Sequence, residues 1–158
     1  MAFMSPGFSS TGTTTVLFID GNDQDRHYFV DRLRIISPEY RILEALDGQA
    51  GLAIYGSRPV QCVILELDLP DMSGFEVLIK LVPVARRPNV PVIVLTRLHN
   101  KEVLNLAIAN GAQQAFCKPL TSGDVLDQAV RKGVTTVGKV FKDTPEKRHE
   151  KGWLDSFF

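Results

Sequence analysis

Five short apolar runs, each followed by a longer amphipathic stretch, divide most of the chain into alternating segments. The runs are Thr15 to Ile19, Arg41 to Ala45, Gln61 to Leu65, Val90 to Leu95 and Ala115 to Cys117. This alternation predicts parallel strands joined by right-handed helical crossovers, a (βα)5 unit of the α/β class. The first, third and fourth runs are nearly continuous in Val, Ile and Leu, as strands covered by helices on both faces must be.

The intervening stretches carry helix punctuation. Phe29, Leu33 and Ile36 recur at i, i+4, i+7, predicting a helix from Asp23 to Ile36 that Pro38 stops. A second helix covers Gln49 to Tyr55. A third begins near Gly74 with Ser73 as its N-cap and loses regularity at Pro83. The fourth spans Lys101 to Asn110 and closes on Gly111 in the left-handed position. The fifth starts after Thr121 or Ser122 and turns Val125, Leu126, Ala129 and Val130 toward the sheet.

Length and composition narrow the class. The 158 residues suffice for one core of ordinary size, and 44% hydrophobic with 23% charged residues falls within the globular range. The expected layout is a leader over residues 1–13, one domain over 14–137 and a tail over 138–158. Mixed charges from Lys139 to Lys151 favour a solvated tail, whereas Trp153, Phe157 and Phe158 favour a helical or docking segment. With 18 basic and 18 acidic residues there is no net field to draw nucleic acid or an anionic membrane. No apolar run of about 18 residues is present, and the expected location is cytoplasmic. His27, His99 and His149 are scattered, without metal-site spacing.

The richest segment is Val63-Ile64-Leu65-Glu66-Leu67-Asp68-Leu69-Pro70-Asp71-Met72-Ser73-Gly74. It resembles the phosphoacceptor loop of bacterial response-regulator receiver domains of the chemotaxis-regulator type. In that family the strand ends in an aspartate four residues before a proline, and here that position is Glu66. Three further matches fall at the ends of other strands: Asp20-Gly21-Asn22-Asp23, Thr96 and Lys118-Pro119. Together they extend the resemblance over about Thr14 to Val137. The resemblance implies a flavodoxin-like, doubly wound sheet in the order 2-1-3-4-5, with the functional crevice at the carboxyl ends of the strands. In that order the fourth strand would separate Cys62 from Cys117 by about 9–10 Å, beyond disulfide reach, consistent with a reducing compartment.

What the resemblance implies chemically is an acceptor carboxylate at Glu66, with Thr96 and Lys118 binding phosphoryl oxygens. Mg²⁺ would be held by Asp20, Glu66 and the backbone carbonyl of Asp68. It also implies a cis peptide between Lys118 and Pro119. The expected partner is a sensor histidine kinase or another signalling protein. The face built from the fourth helix, fifth strand and fifth helix would serve output or pairing of two copies.

Three positions depart from the family pattern. Gly21 replaces the second acidic residue after the first strand and supplies no side-chain oxygen to a hard cation, so the Mg²⁺ site should be weakened. Glu66 carries its carboxylate about 1.5 Å farther out than aspartate, enough to disturb in-line attack. Ala115 stands where receivers commonly carry a rotating aromatic ring, and Phe116 points to the opposite side of the strand. Arg97 replaces the small residue usual after the threonine, either guarding the pocket, placing a cation beside Glu66 or lying exposed in its loop. Asp23 is expected to cap or charge the first helix, and Asp68 to face solvent.

These departures together predict a non-enzymatic pseudo-receiver that works by protein–protein contact without phosphorylation. The competing reading is a working phosphoacceptor that uses Glu66 or Asp68 with Mg²⁺. A nucleotide- or flavin-binding enzyme would need a glycine-rich phosphate loop after the first strand, which is missing, and no helix-turn-helix follows the fifth helix.

Overall fold

The five apolar runs become five parallel strands: β1 Thr15–Ile19, β2 Arg41–Ala45, β3 Cys62–Leu65, β4 Val92–Thr96 and β5 Gln114–Cys117, ordered β2-β1-β3-β4-β5. A computed structural model describes residues 12–143. Five helices alternate with the strands: α1 Asp23–Ile36, α2 Gly48–Ser57, α3 Gly74–Leu81, α4 Lys101–Ala109 and α5 Gly123–Asp143. The doubly wound, flavodoxin-like arrangement is therefore the observed one.

Alternation along the strands sends side chains to two cores. Leu17, Ile19, Val63, Leu65, Val92 and Val94 pack with Val77, Leu78, Leu81 and Ala107 from α3 and α4. Val16, Phe18, Cys62, Ile64, Ile93 and Leu95 pack with Phe29, Leu33, Leu126 and Val130 from α1 and α5. Burying each large side chain contributes roughly 1.5–3 kcal/mol, so β1, β3 and β4, buried on both faces, form the rigid centre. Ala115 packs toward the first core and Phe116 toward the second, as alternation requires.

Several boundaries move for identifiable reasons. Pro91 has no N–H, so β4 begins at Val92 rather than Val90, while the Pro91 carbonyl accepts from Val63 N at 3.0 Å. α2 begins at Gly48 because Asp47 caps Ala50 N, and it runs to Ser57 rather than Tyr55. Ser73 caps α3 through Phe75 N. Gly111, at φ 116°, follows α4 with the positive φ that glycine tolerates. Val125 is 42% exposed and does not join Leu126, Ala129 and Val130 against the sheet. α5 passes through Gly138 to Asp143, and Trp153, Phe157 and Phe158 lie outside the described residues. No helix among the described residues is long and apolar enough to cross a membrane.

Candidate functional site

β1, β3, β4 and β5 end side by side, which delivers Asp20, Glu66, Thr96 and Lys118 to one place although the first and last lie 98 positions apart in sequence. All four are buried, with 7% of Lys118 the most exposed. Burying charges is costly unless they are paired, so the contacts among them decide what the pocket is.

Glu66 is held at both carboxylate oxygens. Oε2 accepts from Thr96 Oγ1 at 2.5 Å and from Asp68 N at 2.9 Å. Oε1 lies 2.9 Å from Lys118 Nζ and accepts from Arg97 N at 3.3 Å. The backbone beneath Glu66 is equally confined: a Cβ on Gly74 would lie 2.5 Å from Glu66 O and from Leu67 Cα. Only glycine fits there, and Gly74 N donates to Leu67 O at 2.8 Å. Asp71 fixes the far side of this loop by accepting from Gly48 N and Gln49 N at the start of α2.

Lys118 sits among three carboxylates: Asp20 Oδ2 at 2.7 Å, Asp25 Oδ2 at 2.9 Å and Glu66 Oε1 at 2.9 Å. Burial alone would lower its pKa, but contact with Asp20, Asp25 and Glu66 outweighs burial and raises it. For Asp20 the balance is reversed. Burial raises its pKa despite the Lys118 contact and the 2.9 Å hydrogen bond its Oδ1 accepts from Asn22 N. Its Oδ2 touches the ammonium as an ion pair without hydrogen-bond alignment.

Asp25 was not legible as a site residue. Asn22, the N-cap of α1, accepts from Asp25 N at 2.9 Å. The Asp25 carboxylate then meets both Lys118 and Arg97, whose Nε and Nη2 donate to it at 2.7 and 2.9 Å. The Arg97 hydrogen bond is the foremost cause of its lowered pKa. Arg97 therefore presents only its backbone N–H to Glu66 while its side chain reaches across to α1. Asp23 is the first residue of α1 and pairs with Arg26 at 2.7 Å. Arg26 is 4% exposed, donates to Asp20 O at 2.8 Å and bonds Glu44 at 2.8 Å, fixing the β1 exit to β2. Its signal was a basic residue inside an acidic first turn.

The Lys118–Pro119 peptide is trans, and no described peptide is cis. Lys118–Leu120 forms a 3₁₀ turn with proline in its first positions, where a fixed helical φ suits a trans peptide. Asp68 is exposed, as expected, and meets Glu66 through its N–H. For a cation, Asp20 and Glu66 are the available carboxylates of the expected set, and both already contact Lys118. No group of three or more His, Cys, Asp or Glu side chains among the described residues is arranged to hold a metal ion. Nor is there room for a side chain at position 21: a Cβ there would lie 2.9 Å from both Leu46 O and Pro70 Cδ.

Comparison with known proteins agrees with the topology. The rice (Oryza sativa) two-component response regulator ORR5 is 29% identical over 122 residues, covering 77% of this chain and 90% of that protein. The receiver domain of the Francisella response regulator 1452 superposes with a TM-score of 0.69 at 20% identity, covering 78% of this chain and 98% of that one. The Mn²⁺-bound form of response regulator Rcp1 superposes at 0.63 with 20% identity, over 75% and 90% of the two chains. Residues 16–131 match the model of the response regulator receiver domain, and the chain belongs to that family.

Proposed function

We propose that this chain is a phosphorylation-independent receiver in two-component signalling, a domain whose pocket is satisfied by its own residues. The observation that carries this reading is the occupancy of Glu66. Four groups, from Thr96, Asp68, Lys118 and Arg97, engage its two oxygens. A carboxylate so engaged must give up contacts before either oxygen can attack phosphorus, and its extra methylene shifts the attack geometry further. Thr96 and Lys118 make with Glu66 the contacts that phosphoryl oxygens would otherwise take. The acceptor carboxylate thus acts as an internal ligand for its own pocket.

Gly21 supports the same reading on the metal side. The position offers no side-chain oxygen, and the ammonium of Lys118 contacts Asp20 and Glu66 where a hard cation would need them free. Mg²⁺ affinity is accordingly weak in this proposal. Output is by protein–protein contact with a histidine kinase or another signalling protein through the α4, β5 and α5 face, which also serves any pairing of two copies. Ala115 makes the output of that face independent of ring rotation.

The test is intact mass after incubation with Mg²⁺ and acetyl phosphate, for the native chain and for Glu66→Asp. No phosphoryl gain by the native chain, with gain by Glu66→Asp, is the expected result. A stable phosphoryl adduct on the native chain would overturn the proposal in favour of an unusual acceptor at Glu66 or Asp68.

A further inference from the structure

Arg97 and Lys118 approach Asp25 from different strands. Lys118 Nζ donates to Asp25 Oδ2 at 2.9 Å, and Arg97 closes a two-pronged bond on the same carboxylate through Nε at 2.7 Å and Nη2 at 2.9 Å. Asp25 is positioned by the capped first turn of α1, and Arg97 by the residue before it, Thr96, whose hydroxyl is bonded to Glu66. The arginine therefore spans from the end of β4 to α1. A crevice of about 420 Å³ is lined there by Asp25, Arg97, Lys118, Tyr28, Pro119 and Thr121.

Ordinary exposed ion pairs contribute little, because each side chain also loses freedom and water screens the charge. This one differs in two respects. Its geometry is the matched fork of guanidinium and carboxylate, and the Asp25 side chain is only 18% exposed. It also shares an oxygen with a buried lysine, so opening it changes the environment of the pocket's central cation.

The geometry points to a strap over the pocket: Asp25 is a positioning residue that sets Lys118, and the Arg97–Asp25 bridge closes the route from the crevice to the Lys118 ammonium. The ligands it keeps out are small acyl and phosphoryl donors that would react at, or bind to, the groups behind it. This inference extends the proposed function and does not depend on whether Glu66 accepts a phosphoryl group, because it is tested on the unphosphorylated chain.

Acetic anhydride is a small neutral amine reagent, and its reaction at Lys118 can be compared by peptide mass mapping with reaction at exposed Lys101 of the same molecules. Electrostatics alone predicts that Arg97→Gln slows acetylation of Lys118, since Asp25 is then left wholly to the lysine and favours its charged form. The strap predicts the opposite: Lys118 reacts faster relative to Lys101 by about tenfold, the scale of losing one charge-assisted bond. Asp25→Asn should likewise accelerate the reaction, whereas Asp25→Glu, which keeps a carboxylate within reach of Arg97, should keep it slow. Reaction of Lys118 in Arg97→Gln at the native rate or slower would overturn the strap, as would equal rates in Asp25→Asn and Asp25→Glu.

Discussion

Asp25 Oδ2 accepts from both Lys118 Nζ and Arg97 Nε, residues 93 and 72 positions away in sequence. This shared oxygen joins α1 to the ends of β4 and β5 and makes Lys118 the common partner of Asp20, Asp25 and Glu66. Three carboxylates facing one ammonium and one guanidinium leave an excess of negative charge, and the most buried member bears its cost.

That member is Asp20, 1% exposed, whose pKa burial raises above its ordinary value of 3.8. The folded state then binds this proton more tightly than the unfolded chain does. Stability from Asp20 therefore falls as pH rises from near 3.8 through the raised folded value. Asp20→Asn removes that dependence, and its Oδ1 can still accept from Asn22 N. Urea unfolding of both chains across this pH range should show the variant gaining on the native protein as pH rises. A constant difference at all pH values would place the proton elsewhere.

Lys118→Met should expose the opposite imbalance. Removing the ammonium leaves Asp20, Asp25 and Glu66 facing one another, a change expected to cost about 3–5 kcal/mol. The three carboxylates are not arranged to hold a metal ion while Lys118 sits among them, so a divalent cation taken up at the vacated centre has to draw them inward. Contacts of 2.7–2.9 Å to Nζ are closer to calcium–oxygen distances of about 2.3–2.6 Å than to magnesium–oxygen distances of about 2.0–2.1 Å. Thermal melting of Lys118→Met should rise with Ca²⁺, less with Mg²⁺, and the native chain should respond less than the variant to either.

The fold was legible because apolar runs of β1, β3 and β4 leave no other way to bury both faces of a strand, and Ser73 and Gly111 mark helix ends by local chemistry. Glu66, Thr96 and Lys118 were legible because strand ends bring them together once the strand order is known. Asp25 was not. In sequence it is one of two acids in the first turn of α1, and local reasoning assigns both to the helix dipole. Only the fold, which brings the first turn of α1 to the residue that follows β5, separates Asp23, which pairs with Arg26, from Asp25, which pairs with Lys118. The trans Lys118–Pro119 peptide was missed for a related reason: a family pattern was carried over, and the local 3₁₀ turn decides the geometry.

A second polar cluster ties α1 to α5 away from the pocket. Ser37 Oγ, fully buried, donates to Asp127 Oδ1 at 2.8 Å and accepts from Arg131 Nη2 at 2.6 Å, while Arg131 Nε bonds Asp127 Oδ2 at 3.0 Å. Asp127→Ala would leave the Ser37 hydroxyl without its acceptor, at a cost of about 1–3 kcal/mol. Chemical denaturation should register that loss, while acetylation of Lys118 relative to Lys101 stays at the native ratio. A change in the ratio would mean that the two clusters are coupled through α1.

Gly21 poses the sharpest question about the metal chemistry, because restoring an acidic residue there is the obvious repair. The backbone opposes it. A Cβ at position 21 would approach Leu46 O and Pro70 Cδ at 2.9 Å each and Pro70 Cγ at 3.2 Å, so the loop carrying Pro70 must yield before any carboxylate can reach the pocket. Gly21→Ala, which tests the steric term without adding charge, should therefore lower stability by about 1–3 kcal/mol. Adding Pro70→Ala should recover part of that loss, since it removes the ring carbons but leaves the Leu46 carbonyl. Gly21→Asp should show the same penalty with little stabilisation by Mg²⁺ while Pro70 is in place. If Gly21→Asp instead melts at the native temperature and is strongly stabilised by Mg²⁺, the Pro70 loop yields readily and the missing side chain alone limits cation binding.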